Sequence, residues 1–202
     1  MQFFNLNHTP AKEIVLRLEP RVFFLWNESR QIEFSLARSG AVAHIFALFI
    51  GNRSDSFNLS VIQHHTKPDT QSHLTVLSIL DGQARLSYSG LIRIEREAIR
   101  TDASQTNRNI LLSEDARASS SPQLEILADD VSARHASATG TTQPESLFFL
   151  ETRGIKLPGA RQLLAEGAVR SFFDHMRAYT DDAEVDALEQ AAFRQLTLHS
   201  RS

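Results

Sequence analysis

Residues 89–154 read SGLIRIEREAIRTDASQTNRNILLSEDARASSSPQLEILADDVSARHASATGTTQPESLFFLETRG. The segment is a run of short strand-like stretches broken by polar turns, and it closes on one histidine, His135, and a helix-start signal. Working back from Ser89, residues 84–94 alternate with the period of a strand. Ala84, Leu86, Tyr88 and Gly90 fall on one face, Arg85, Ser87 and Ser89 on the other, and Ile92 and Ile94 continue the inner side.

The same texture extends toward the N-terminus. Strands are expected at 14–18, 22–26, 31–36, 41–50, 56–64, 74–80, 84–94, 109–112, 123–128 and 130–136. They are separated by turn residues at Ser39-Gly40, Gly51-Asn52, Lys67-Pro68-Asp69, Asp81-Gly82 and Ser121-Pro122. Many short strands without intervening helices point to a sandwich, a barrel or a β-solenoid. No fixed repeat length emerges, so periodicity alone does not choose among them. Asn107 and Asn109, ahead of Ile110-Leu111-Leu112, hint at the solenoid, because stacked coils keep such amides at corners to satisfy turn backbone groups.

Beyond Gly140 the pattern becomes helical. Thr142-Gln143-Pro144-Glu145 is a capping-box pattern, and the helix it opens, 145–153, should end at Gly154 in a left-handed conformation. Pro158 opens a second helix with Ala160, Leu163 and Leu164 on one side, and Gly167 is expected to interrupt it before Val169, Phe172, Phe173 and Met176. Asp181-Asp182 begins a last helix carrying Val185, Leu188, Ala192 and Leu196 at helical spacing. The expected organisation is a β-body over 1–140 and a helical segment over 141–202.

Composition removes several classes of function. The 202 residues carry a formal charge of -3 and no dense basic stripe, which leaves no footprint for nucleic acid. The longest apolar run, 41–50, is interrupted by His44 and is too short for a membrane span. The opening MQFFNLNHTPAKE lacks a basic segment followed by an apolar stretch, so the expectation is a cytoplasmic protein. Cysteine is absent, which excludes disulfides, thiolate zinc sites and any cluster held by the chain's own sulfur.

Four blocks together resemble the core domain of the SufB/SufD family, the scaffold subunits of the Suf iron–sulfur assembly machine. One runs from His65-Thr66-Lys67-Pro68 to Ser72, and a second from Leu80-Asp81-Gly82 through Arg85 to Gly90-Leu91-Ile92. The third is Thr101-Asp102-Ala103, Gln105, Asn107-Arg108-Asn109 and Leu111-Leu112-Ser113. The last comprises Pro122-Gln123-Leu124-Glu125-Ile126, Ala128-Asp129-Asp130-Val131, His135, Leu147-Phe148 and Arg153-Gly154-Ile155. Order and spacing agree from about His65 to Leu164. The resemblance implies a right-handed parallel β-helix followed by a C-terminal helical segment. It also implies a non-catalytic, SufD-like scaffold that pairs with a SufB-like subunit and docks an ABC-type ATPase (SufC-like) through its C-terminal helices. No phosphate-cradling Gly-x-x-x-x-Gly-Lys-Ser/Thr loop occurs here, so the ATPase has to be another protein.

Two departures from the family pattern bear on chemistry. Ala133 stands where the family usually has a cysteine, and Ala136-Ser137-Ala138 replaces the Gly-Ala-Thr that follows the histidine. The chain also carries less N-terminal sequence than the pattern. His135 is therefore the one expected metal ligand, contributing to a transient iron or iron–sulfur site at a subunit interface, with no tightly bound cofactor and no catalytic residue. Self-association is expected for the isolated protein and a heteromer for the working one. The alternatives are a solenoid that only holds proteins together, or a carbohydrate-active β-helix enzyme, for which one tryptophan and two tyrosines are poor equipment.

Other titratable residues read as structural. His64 and His65 point to opposite faces of a strand and cannot chelate one ion, and Asp129 and Asp130 diverge in the same way. Arg93, Arg96 and Arg100, interleaved with Glu95 and Glu97, form a solvated face. Phe148, Phe149, Phe172 and Phe173 are expected to pack the helices together and against the β-body, with part of that surface left for a partner.

Overall fold

The structure, a computed structural model, describes residues 1–17, 19–141 and 144–199. Within them the strands alternate between two parallel sheets. Sheet A holds β1 (Gln2–Asn5), β3 (Arg21–Trp26), β5 (Val42–Gly51), β7 (Gln71–Leu80), β9 (Thr101–Leu111) and β11 (Val131–Thr141) in that order. Sheet B holds β2 (Glu13–Leu16), β4 (Arg30–Leu36), β6 (Ser56–His65), β8 (Arg85–Ile94) and β10 (Arg117–Ile126). Each strand thus pairs with the next but one in sequence, always parallel, which is the connectivity of a β-solenoid. Three helices follow: α1 (Pro144–Glu151), α2 (Leu157–Arg177) and α3 (Glu184–His199).

The register explains why no repeat length is visible in the chain. The coil offset is 19 residues from Gln2 to Arg21 and 22 from Arg21 to Ala43, then 29 from Val42 to Gln71 and 31 from Gln71 to Asp102. Most of the difference is strand length, which grows from 4 residues in β1 and β2 to 10 in β5 and β6. Left-handed residues stack above one another on each side: Asn27, Arg53 and Gly82 lead into sheet B, and Gly40, Asp69 and Arg100 lead into sheet A. At the second corner the Arg100 guanidinium holds the Asp69 carboxylate at 2.6 and 2.8 Å across neighbouring coils. That contact keeps the Asp69 carboxyl below the usual carboxylate range.

Alternation sets the core. Between the sheets lie Phe23, Phe34, Ile45, Phe49, Leu59, Val61, Leu74, Val76 and Leu86. Sheet A is also covered on its outer face, where Phe24, Phe46, Leu48, Leu77 and Ile79 meet Val169, Phe172, Phe173 and Met176 of α2 and Val185, Ala192 and Leu196 of α3. Burial on both faces is why β5 reads as a nearly continuous apolar run, broken only by His44. Sheet B, by contrast, exposes Arg85, Ser87 and Ser89 while Leu86, Tyr88, Gly90, Ile92 and Ile94 turn inward.

Glycine 90 is set by close approach. A Cβ there would lie 2.1 Å from the Tyr88 hydroxyl and 2.4 Å from Gln105 Oε1, two groups that hydrogen-bond each other at 3.2 Å. Gly90→Ala is expected to destabilise the fold by about 1–3 kcal/mol through this overpacking. Urea denaturation measures it, and an unchanged midpoint would mean that the two side chains swing aside freely.

Several expectations require correction. Strand β9 begins at Thr101 and β10 at Arg117, well before residues 109 and 123, because their inward positions are mostly polar or small and carry a weak apolar signal. Ser121-Pro122 is no turn but lies inside β10, an edge strand, where a proline is tolerated. Asn107 and Asn109 are not corner residues. They point into the interior, 2% exposed, and their amides bond the side chains of Ser120, Ser78 and Thr139. Helix α2 passes through Gly167 unbroken, and Leu163 is exposed. Strand β1 had no counterpart in the sequence reading. Thr142 of the capping box and Leu18 lie outside the described residues, whereas Gly154 adopts the expected positive φ of 84°.

Candidate functional site

At one end of the solenoid the last coil has no coil stacked upon it. Strands β10 and β11 are the edges of their sheets there, and both present mostly exposed side chains, among them Leu124 and Ile126, with Leu127 exposed just after β10. Only the start of β11 is packed, with Val131 and Ala133 resting on Ile92, Ile94, Ala98, Ala103 and Ala128. His135 follows two residues later in the same inward series, in register with Gln105 of β9. Its neighbours on that strand are exposed, and so is His135 itself. An imidazole in this position faces the uncovered end of the coil beside a row of unpaired backbone groups.

A polar interior lies beneath it. Gln105 receives the Tyr88 hydroxyl, and burial pushes the Tyr88 phenol above its ordinary pKa, so it remains a neutral donor. Gln105 Nε2 and Asn107 Oδ1 are buried without a partner among the described side chains. Further in, His65 is fully buried. Thr70 gives its hydroxyl proton to the Lys67 carbonyl and therefore accepts from His65 Nδ1 at 2.8 Å. Ser72 accepts from the Gln63 amide at 2.6 Å and donates to His65 Nε2 at 2.7 Å. The network assigns the Nδ1–H tautomer to the neutral ring. Desolvation, then His64 and His73, lowers the pKa to about 3.

His64, on the opposite face, lies between Glu33 and Glu95 at 2.9 and 3.1 Å. The two adjacent histidines thus occupy unrelated environments, as strand geometry requires. Asp129 and Asp130 sit at the corner before β11, where the Asp130 carbonyl accepts from the Arg100 amide at 2.6 Å. Arg93 pairs with Glu125 at 2.8 Å across the sheet B surface.

On the outer face of the β11 edge is a hollow of about 480 Å³. It is bordered by His73, Asp102, Ser104, Arg134, His135, His175 and Tyr179, among others. His73 Nδ1 lies 2.8 Å from Ser104 Oγ, and Arg134 binds Asp102 at 2.9 Å. Sequence reading missed this group. The usable signal was the 29-residue coil offset, which puts His73 in register with His44, but that offset is only known once the coils are stacked. Among the described residues no three His, Asp or Glu side chains are placed to hold one metal ion, and the chain has no cysteine. A metal at His135 would need its remaining ligands from elsewhere.

The segment from residue 27 to residue 168 matches the family described as SUF system FeS cluster assembly, SufBD core domain. The chain belongs to the SufBD family. That span runs from the entry to β4 to about the middle of α2, so it takes in the His135 edge and all of the polar interior. An iron–sulfur cluster assembly SufBD family protein of Mycobacterium leprae is 35% identical over 136 residues, which is 63% of this chain and 35% of that protein. The iron–sulfur cluster assembly protein SufD of Escherichia coli is 36% identical over 100 residues, 50% of this chain and 24% of that protein. SufD of Bacillus subtilis is 31% identical over 117 residues, 58% of this chain and 26% of that protein. The chain therefore spans about a quarter to a third of the length of these SufBD relatives. This SufBD core folds as a parallel solenoid with a helical extension, and its chain has no cysteine. No helix among its described residues is long and apolar enough to cross a membrane.

Proposed function

We propose that this chain is a non-catalytic, SufD-like scaffold in iron–sulfur cluster assembly in the cytoplasm, completing a site together with a SufB-like subunit. The observation that carries this reading is the exposed imidazole of His135 on an unpaired edge strand within the family-matched segment. Edge pairing through β10 and β11 would cover the open coil end and satisfy its backbone groups. Iron or a nascent cluster is then cargo. His135 contributes one nitrogen ligand to it, and the partner contributes the sulfur ligands that this chain lacks. A homodimer would bring two imidazoles and no thiolate, so self-association of the isolated chain is a resting state.

The helical segment is the proposed docking surface for a separate ABC-type ATPase. Phe172 and Phe173 are consumed by packing, as expected. Phe148 and Phe149, which were expected to pack too, are 68% and 54% exposed, and Leu163 on α2 is 48% exposed. Apolar side chains left in solvent on a helical appendage suit a partner interface.

One competing reading is a solenoid that binds partners without handling metal, and Ala133 in the cysteine position favours it. A sugar-processing groove is disfavoured by the tyrosines: Tyr88 is buried and Tyr179 is stacked on His44. The test is His135→Ala in the assembly reconstituted with a SufB-like subunit and the ATPase. Because His135 is exposed, stability should change by less than about 0.5 kcal/mol. Complex formation should persist while cluster delivery falls. Unchanged delivery would favour the partner-binding reading, and failure of the wild-type chain to form any complex would remove both.

A further inference from the structure

The turn between α2 and α3 is anchored on sheet A by an unusual set of groups. His44 of β5 is 5% exposed, and its ring stacks on Tyr179 with centroids 3.6 Å apart and planes 20° apart. Its other ring neighbour is His73 of β7 at 5.3 Å, and His175 of α2 lies 5.6 Å from Tyr179. Met1, just ahead of β1, closes the group from the side. The Met1 ammonium donates to the Tyr179 carbonyl at 2.9 Å, and the Thr180 hydroxyl donates to the Met1 carbonyl at 3.1 Å.

The charged groups that act on His44 are His73, His175 and the Met1 ammonium, and each disfavours its protonation. Asp102 acts on His73 and is paired with Arg134, and Asp174, beside His175, is paired with Arg177. His44 Nδ1 has no hydrogen-bond partner among the described groups. A proton placed on this ring would be a buried cation with like charges around it and no counter-ion in contact. The ring that stacks on it, Tyr179, is also a wall of the hollow that borders His135, as is His175.

We propose that this joint is an acid-opened strap: charging His44 loosens the α2–α3 turn from sheet A and widens the hollow beside the β11 edge. The rest of the helical segment stays in place, because Val169, Phe172, Phe173, Val185 and Leu196 hold it through apolar contacts that do not titrate. Burial, then the neighbouring imidazoles, lowers the His44 pKa from 6.5 to about 4. The closed joint is therefore fully favoured above pH 6.5 and loses its advantage as pH falls from there toward 4.

Amide hydrogen exchange on the full chain between pH 7 and 5, corrected for intrinsic rates, tests the proposal. Peptides covering residues 174–183 should lose protection by roughly 20- to 30-fold at pH 5, while β5 and β7 lose far less. His44→Phe keeps a ring on Tyr179 but cannot be charged, and should remove the pH dependence of that turn. Equal loss in His44→Phe, or no change in the wild type, overturns the idea. Should that variant fail to fold, the wild-type imidazole decides by NMR. Titration of His44 in step with loosening of the turn supports the strap, and titration near 6.5 with the turn still protected refutes it.

Discussion

Phe173→Ala is expected to lower the unfolding free energy by about 3–5 kcal/mol, the range for removing a fully buried aromatic side chain. Phe173 has no exposed surface and stands where helix meets sheet, its ring 5.9 Å from Phe24 of β3 and 5.5 Å from Phe172. Truncation opens a cavity that the flat outer face of sheet A cannot collapse into, since its strands are fixed by pairing on both sides. The loss should appear first in the helices, as lowered exchange protection of α2 and α3, with the solenoid strands following only at higher denaturant. Chemical denaturation at pH 7 measures the total. A loss below about 1 kcal/mol would mean that the helical segment is not seated on the sheet as described.

Acidification from pH 7 to pH 4 should cost about 3 kcal/mol through His65 alone. Its folded pKa is depressed to about 3, whereas the unfolded side chain titrates near 6.5. Unfolded chains therefore take up a proton that folded chains refuse, and stability falls as pH drops below 6.5 until the folded form itself titrates near 3. His65→Gln keeps hydrogen-bonding capacity without a titratable ring. It should lower stability at neutral pH but flatten the acid limb by about that amount. Parallel acid limbs in the two proteins would show that His65 is not the group responsible. Because His44 contributes to the same limb, the comparison has to be made in a background of unchanged His44.

These effects bear on the proposed assembly role. A scaffold that lends one imidazole to a shared site must hold its edge strand rigidly, because the partner brings the other ligands. Rigidity at β11 comes from Val131 and Ala133 on the apolar floor and from Asn109 reaching Thr139 at 2.8 Å. His135 lies between these anchors, so its backbone is set on both sides even though its side chain is exposed.

Some of this molecule is local in origin and was legible directly. Residues 84–94 alternate so cleanly that the inward set matches what is buried in β8, and the final helix carries its buried Val185, Ala192 and Leu196 at the expected spacing. His135 could be singled out only through the blocks that resemble a known family, for nothing in its own surroundings distinguishes it. Strand β9 was largely invisible, because Gln105, Asn107 and Asn109 carry polar side chains into the interior and find Tyr88, Ser120 and Thr139 there.

The chain alone thus determines the alternating strands, the corners marked by glycine and by turn residues, the apolar β5 and the amphipathic helices, since each depends on neighbours a few residues away. Stacking alone decides the coil offsets, the polar interior and the separate fates of His44, His64, His65 and His135. A histidine becomes buried and neutral, paired with carboxylates, or free at an edge according to what lies one coil above or below it, about 30 residues away in sequence. That neighbour is chosen by register, and register exists only once the coils have closed on one another.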